Sequence, residues 1–121
     1  MRFIKFPNLK TERLQLRALC FNDTEAIFKL RTNKEINKLI TRQSLENLND
    51  AEDFIKVCQS EFKKGNRIFW VLEFNTNLIG TIVYHKISTK NNYAEIGYEL
   101  DPKYQQKGFM SEAMVKVLDF G

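Results

Sequence analysis

The chain has 121 residues, enough to bury one hydrophobic core but short for two domains, so residues 1–121 read as a single domain. It is 43% hydrophobic and 28% charged, with ten Phe available for the interior, and it carries a net charge of +4. Acidic residues are interleaved with the basic ones, so the excess suits a small anionic ligand and argues against a nucleic-acid or membrane surface as the partner.

Cys20 and Cys58 form no CxxC pair, which speaks against zinc, and they read as two buried, reduced thiols. The opening MRFIKFPNLK has no apolar stretch of signal-peptide length, and nothing reaches the length of a membrane span. The expected location is the cytoplasm.

In chain order, the first element is RLQLRAL (13–19), where Leu14, Leu16 and Ala18 alternate with polar neighbours as in a half-buried strand. FNDTEAIFKLRTN follows as a short helix, with Asn22 or Asp23 placed to cap it. A second helix is expected from a cap at Asn49 or Asp50, with Ala51, Phe54, Ile55, Cys58 and Phe62 on one face and Gly65 as its stop. The period then changes to two. RIFWVLEF (67–74), the turn NTN and LIGTIVYHKI (78–87) form a β-hairpin, and YAEIGYEL (93–100) adds a strand after the polar loop STKNN.

In that last strand Ala94, Ile96, Tyr98 and Leu100 make the more apolar face, while Glu95, Gly97 and Glu99 share the other. The final helix carries Met110, Ala113, Met114, Val117 and Leu118 at helical spacing, a packing stripe. The order β, α, α, β, β, β, α with short turns between strands predicts an α+β domain. Its sheet is expected to be mixed but mostly antiparallel, flanked by helices.

Between the last strand and the last helix stands Gln105-Gln106-Lys107-Gly108. The first N–H groups of a helix have no internal partner, and the helix dipole favours negative charge there. Gly108 lets a phosphate approach the backbone closely, and the glutamines and lysine add donors. The same residues also suit a plain structural turn. The segment is neither a P-loop, since no GK[ST] follows, nor a GxGxxG fingerprint.

The wider segment YAEIGYELDPKYQQKGFMSEAM resembles the central motif of the GCN5-related N-acetyltransferases. Gln105, Gly108 and Met110 stand where that family has Gln or Arg, then Gly, then Gly or Ala; Met110 departs from the small residue. LKTERLQLRALCFND and GTIVYHKI resemble the branch that includes the ribosomal-protein-alanine acetyltransferases. The likeness runs from about Leu9 to Gly121.

It implies an acyl-CoA N-acyltransferase fold and acetyl-CoA as donor to a primary amine, either a protein N-terminus or a small amine. The pyrophosphate would rest on the backbone of Gln106, Lys107, Gly108, Phe109, Met110 and Ser111, with Gln105 among the cofactor-binding residues as a further polar donor. The pantetheine arm would pair with the backbone of Tyr98 to Leu100, and an N–H near Gly97 or Tyr98 would polarise the thioester. Glu95 is the preferred general base because it lies nearer the thioester end of the arm. Glu99 is the second candidate, or a group that binds the amine. His85, Trp70 and Tyr84 read as structural.

Members of that family continue past the last helix with another strand, a helix and a hairpin, and the chain ends at DFG. No residue can be assigned as general acid. Either the chain is a shortened form, or a partner such as a second copy completes the site and covers the open edge of the last strand. A truncated, non-catalytic CoA- or partner-binding module is the alternative function. An RNA- or ribosome-associated domain has only the charge and the aromatic strands in its favour.

Overall fold

The computed structural model describes residues 6–34, 45–88 and 93–120. Five strands form one sheet in the order β1-β2-β3-β4-β5: β1 (Leu9–Lys10), β2 (Gln15–Ala18), β3 (Arg67–Phe74), β4 (Asn77–Ser88) and β5 (Tyr93–Leu100). Every neighbouring pair is antiparallel, so the expected mixed character is absent among the described strands. The helices are α1 (Thr24–Arg31), α2 (Leu48–Lys63) and α3 (Phe109–Phe120). The two-residue strand β1 has no period of its own to betray it. The STKNN loop, apart from Ser88, lies outside the described residues.

The registers Trp70↔Ile82, Leu72↔Gly80 and Ile82↔Tyr98 put the even-numbered residues of β3, β4 and β5 on one face. There Leu14, Leu16, Trp70, Leu72, Ile82 and Leu100 pack with Phe109, Ala113 and Val117 of α3. The odd face carries Phe69 and Val71, which pack with Leu19, Ile27, Ala51, Ile55 and Cys58 of the α1–α2 layer. The result is three layers: α1 and α2, the sheet, then α3. Trp70 is fully buried and donates its indole N–H to the Pro7 carbonyl at 2.8 Å, the packing role expected of it.

Helix α3 is turned from the expected stripe. Phe109, Ala113 and Val117 are buried, Met110 and Met114 pack at the margin, and Leu118 is exposed. Pairing Phe109 with the aromatic rings of Phe74 and Tyr104 pulls the start of the helix inward. Helix α2 begins earlier than expected. Asn47, rather than Asn49 or Asp50, is its cap, accepting the Asp50 N–H at 2.9 Å.

Its end is as expected. Gly65 has φ +80, and the N–H groups of Gly65 and Asn66 bond the carbonyls of Phe62 and Glu61, a Schellman ending. In the β3–β4 hairpin, Asn75 and Thr76 both have positive φ, the torsions that match the twist of a two-residue turn. Cys58 is buried, and burial pushes its thiol up to about 11. Cys20 is exposed, contrary to expectation, because it stands in the corner leaving β2. No described helix is long and apolar enough to cross a membrane.

Asp23 does not cap α1. Its carboxylate turns back to accept the Cys20 N–H at 2.9 Å and both terminal nitrogens of Arg17 at 2.9 Å each. Arg17 also donates to Glu73 at 2.7 Å, which ties the corner to β3. Burial by itself would raise the Asp23 carboxyl, yet the bonds from Arg17 and Cys20 outweigh it and hold the group below its ordinary value. A depressed folded pKa gives stability that is complete above the unfolded value of about 3.9 and lost as pH falls through the folded one. Asp23→Asn should therefore cost about 2 kcal/mol at neutral pH and flatten the acid limb of stability against pH. Urea unfolding from pH 7 to pH 2 reads both effects.

Candidate active site

Strand β5 ends at Leu100 and the chain turns through a single 3₁₀ turn, Pro102–Tyr104, into α3. Asp101 starts that turn by accepting the Lys103 N–H at 3.0 Å. The following residues adopt the torsions that a tight cradle needs. Gln106 has φ 64 and Gly108 φ 82, a region costly for residues with a Cβ. Helix α3 takes its first hydrogen bond from the Glu112 N–H to the Gly108 carbonyl at 3.0 Å. Among the described residues, the backbone N–H groups of Gln106, Lys107, Gly108, Phe109, Met110 and Ser111 donate to no protein acceptor. They lie around the start of α3, the positive end of the helix dipole.

Gln105 plays a different part. Its side-chain amide donates to the Leu100 carbonyl at 3.1 Å, and its backbone N–H donates to Pro102 at 3.3 Å. Both are spent bracing the turn. Lys107 and Ser111 are exposed, whereas Phe109 is buried, so only its backbone faces the cradle. Met110 packs at the margin of the core, and its bulk does not fill the turn.

The edge of the sheet leads into this turn. Asp101 N–H bonds the Ile79 carbonyl at 2.8 Å. In an antiparallel ladder this sets the alternation. The odd-numbered residues of β5 direct their backbone groups at β4, and Ile96, Tyr98 and Leu100 direct theirs outward. The engagement of the Leu100 carbonyl by Gln105 agrees with that phase. Gly97 thus faces its N–H to β4, and of the two amides considered for polarising a carbonyl, Tyr98 has the outward one. The Tyr98 side chain is 58% exposed.

The two carboxylates of β5 have separate fates. Glu95 is exposed. Glu99 is only 7% exposed: its Oε1 receives Arg31 and the Thr81 hydroxyl, each at 3.4 Å. Arg31, at the end of α1, lies with its guanidinium 4.1 Å from the centre of the Phe54 ring. Burial lowers the pKa of Arg31. His85 stands beside Glu95 in register, and Arg67 beside His85. No group of three or more metal-ligating side chains is found among the described residues.

Residues 13–121 match the acetyltransferase (GNAT) domain family. The chain belongs to the GNAT family. It is 36% identical over 118 residues to the uncharacterized N-acetyltransferase YoaA of Bacillus subtilis, covering 96% of this chain and 67% of that protein. It is 30% identical over 110 residues to the ribosomal-protein-serine acetyltransferase of Escherichia coli, covering 86% and 60%. A ribosomal L7/L12 α-N-protein acetyltransferase solved with coenzyme A shares the fold, with a TM-score of 0.78 at 21% identity over 94% of this chain and 67% of that one. The chain spans about two thirds of the length of the relatives it matches.

One part of this GNAT site escaped the sequence reading. The β1–β2 corner grips the start of α3 through Glu112. Its Oε2 accepts the Arg13 N–H at 2.9 Å and the Thr11 hydroxyl, and its Oε1 accepts Arg13 Nε at 2.8 Å. Arg13 also donates to the Lys107 carbonyl at 3.1 Å and lies 4.2 Å from the centre of the Phe109 ring. The Thr11 bond, then those from Arg13, hold the Glu112 carboxyl below the ordinary range despite burial. The partners are far apart in sequence, and no periodicity signals such a pair.

Arg13→Ala and Glu112→Gln should each destabilise the chain. Their double-mutant cycle should return a coupling of about 1 kcal/mol that shrinks in 1 M salt. Thermal unfolding of the four proteins measures it.

Proposed function

We propose that this chain is the cofactor-binding part of an enzyme that transfers an acetyl group from acetyl-CoA to a primary amine. The observation that carries the reading is the run of uncommitted amides from Gln106 to Ser111, opened by positive torsions at Gln106 and Gly108. Such a nest at a helix start suits a pyrophosphate. The coenzyme A in the structural relative and the acetyltransferases among the sequence relatives support it.

Acetyl-CoA would bring the thioester that serves as acyl donor. Gln106, Lys107, Gly108, Phe109, Met110 and Ser111 would hold the phosphates by their backbones, and the exposed Lys107 would add a cation. Tyr98 offers the outward amide and carbonyl with which an extended arm can pair as an added strand. Gln105 and the Leu100 carbonyl are bound to each other; they keep the strand end in line with the turn. Orientation of this kind contributes much of the rate in a reaction between two bound partners.

Glu95 is the carboxylate open to an incoming amine. It would take the proton the amine sheds as the N–C bond forms and the C–S bond breaks. The released thiolate, with an ordinary thiol pKa of about 8.5, takes its proton from water. Glu99, with its charge set against Arg31, shapes the wall beside the base. The ribosomal-protein-serine acetyltransferase among the relatives favours a protein N-terminus as acceptor, with a small amine as the competing class.

Calorimetric titration of acetyl-CoA should give saturable binding that weakens about 100-fold or more in Gly108→Asp, where a carboxylate would meet the phosphates. Gly108→Ala, which adds only a Cβ 3.3 Å from Arg13 at φ +82, should fall between. Failure of the parent chain to bind would overturn the reading. Tight binding with no transfer to any peptide or small amine would leave a CoA-binding module in its place.

Glu95→Gln should bind acetyl-CoA unchanged and lower kcat by about 10²- to 10⁴-fold. An unchanged kcat in a coupled thiol-release assay would remove Glu95 as the base.

A further inference from the structure

The peptide unit between Lys107 and Gly108 decides much of what the turn can hold. A trans peptide is planar, so its C=O and N–H point in opposite directions. The Lys107 carbonyl accepts Arg13 Nη1 at 3.1 Å. The Gly108 N–H is therefore turned away from Arg13, and it is one of the amides that donate to no protein acceptor. Arg13 stands behind this peptide, and an anion in the cradle would stand in front of it.

Without that bond the peptide has a second orientation. Half a turn of the peptide plane changes only ψ of Lys107 and φ of Gly108. It takes Gly108 from φ +82 to about −100°, a region open to every residue. The flipped peptide would direct its carbonyl oxygen to the front and withdraw the N–H. An anion would then meet a partial negative charge in place of a donor. Glycine by itself accepts both orientations, so the choice has to come from outside the turn.

Arg13 is placed to make that choice. Its Nε donates to Glu112 Oε1 at 2.8 Å and its backbone N–H to Glu112 Oε2 at 2.9 Å. Its guanidinium lies 4.2 Å from the centre of the Phe109 ring. Its Nη2 lies 3.3 Å from the position a Cβ would take on Gly108, so the guanidinium is seated against the glycine itself. Glu112 and Phe109 belong to the first turn of α3, and the cation is thereby fixed to the helix whose open end it serves. In the flipped state the Gly108 N–H would face guanidinium N–H groups, donor against donor, and a charge-assisted bond to the carbonyl would be lost. Both effects favour the observed orientation.

We infer that Arg13 is a positioning residue for the phosphates of the cofactor: by holding the Lys107 carbonyl, it keeps the Gly108 N–H directed into the cradle of the free chain. It does so from behind the peptide. The inference rests on the phosphate-binding role proposed above, but the orientation of the peptide can be measured with no cofactor present.

Lysine labelled with ¹³C at the carbonyl and glycine labelled with ¹⁵N mark two peptide bonds by NMR, Lys64–Gly65 and Lys107–Gly108, and the first serves as internal reference. In the free chain, Arg13→Ala should move the Lys107 carbonyl resonance to lower frequency, as the loss of a hydrogen bond does, and leave that of Lys64 in place. By calorimetry, CoA should bind Arg13→Ala about tenfold more weakly than the parent. Arg13→Lys, which can still donate to the carbonyl, should stay within about threefold. The tenfold ratio should persist in about 0.5 M salt, where the pull of a remote charge is screened. Asp23→Asn, destabilised at a different corner, should bind CoA like the parent.

An unmoved Lys107 carbonyl in Arg13→Ala, an affinity loss that vanishes in salt, or an equal loss in Asp23→Asn would each overturn the inference. A parent chain that binds no CoA would instead overturn the proposed function, and the carbonyl shift would then decide by itself whether Arg13 holds the peptide.

Discussion

A helix start can satisfy its own exposed amides or offer them to something else, and Glu112 decides which happens here. A carboxylate in the first turn commonly folds back on the N–H groups of its own helix. Glu112 instead points away, to the Arg13 and Thr11 groups of the β1–β2 corner. The helix is thereby anchored from the side. Its first N–H groups remain open, and Arg13 fixes the turn further by bonding the Lys107 carbonyl. The positive torsion at Gly108 is held by contacts on both flanks, which is what a cradle of backbone amides requires if it is to be formed before its anion arrives.

The two faces of the sheet divide the labour. The even face is apolar from Leu16 to Leu100 and packs against α3, so it fixes where the helix and its open end lie relative to β5. The odd face begins apolar at Phe69 and Val71 and becomes polar toward β5, where the Arg31–Glu99 pair and the Arg67–His85 hydrogen bond lie. A buried ion pair is weak evidence for stability, because desolvation offsets much of the attraction. Its value at this position is geometric. Arg31 joins the end of α1 to the edge strand and fixes where the buried Glu99 carboxylate lies.

The legible parts of the structure were those with a period. β3, β4 and β5 alternate over eight or more residues, and the Gly65 stop of α2 has one stereochemical reading. The cradle was legible because it combines a glycine with a strand-to-helix junction. What escaped was set by contacts between distant segments. The exposure of Cys20, the retreat of Asp23 from α1 and the rotation of α3 toward Phe109 each follow from a partner that spacing cannot supply: a corner, an arginine, an aromatic pair. The Thr11–Arg13–Glu112 clip is the extreme instance, since its members are unremarkable residues that matter only because β1 and α3 meet.

Glu95 and Glu99 show the same limit at the scale of one strand. Two positions of equal parity are equivalent to any rule based on alternation, and both were candidates for the base. The difference comes from the layer above them. Glu99 meets Arg31 from the end of α1 and is buried, whereas Glu95 is exposed. Burial without a partner would cost a carboxylate several kcal/mol, so the covered position must carry a cation beside it, and the open one need not. A proton acceptor has to remain reachable by its donor and retain its charge until the donor arrives. Of the two carboxylates of β5, Glu95 is the exposed one, and that reach is why the proposed role of base falls to it rather than to Glu99.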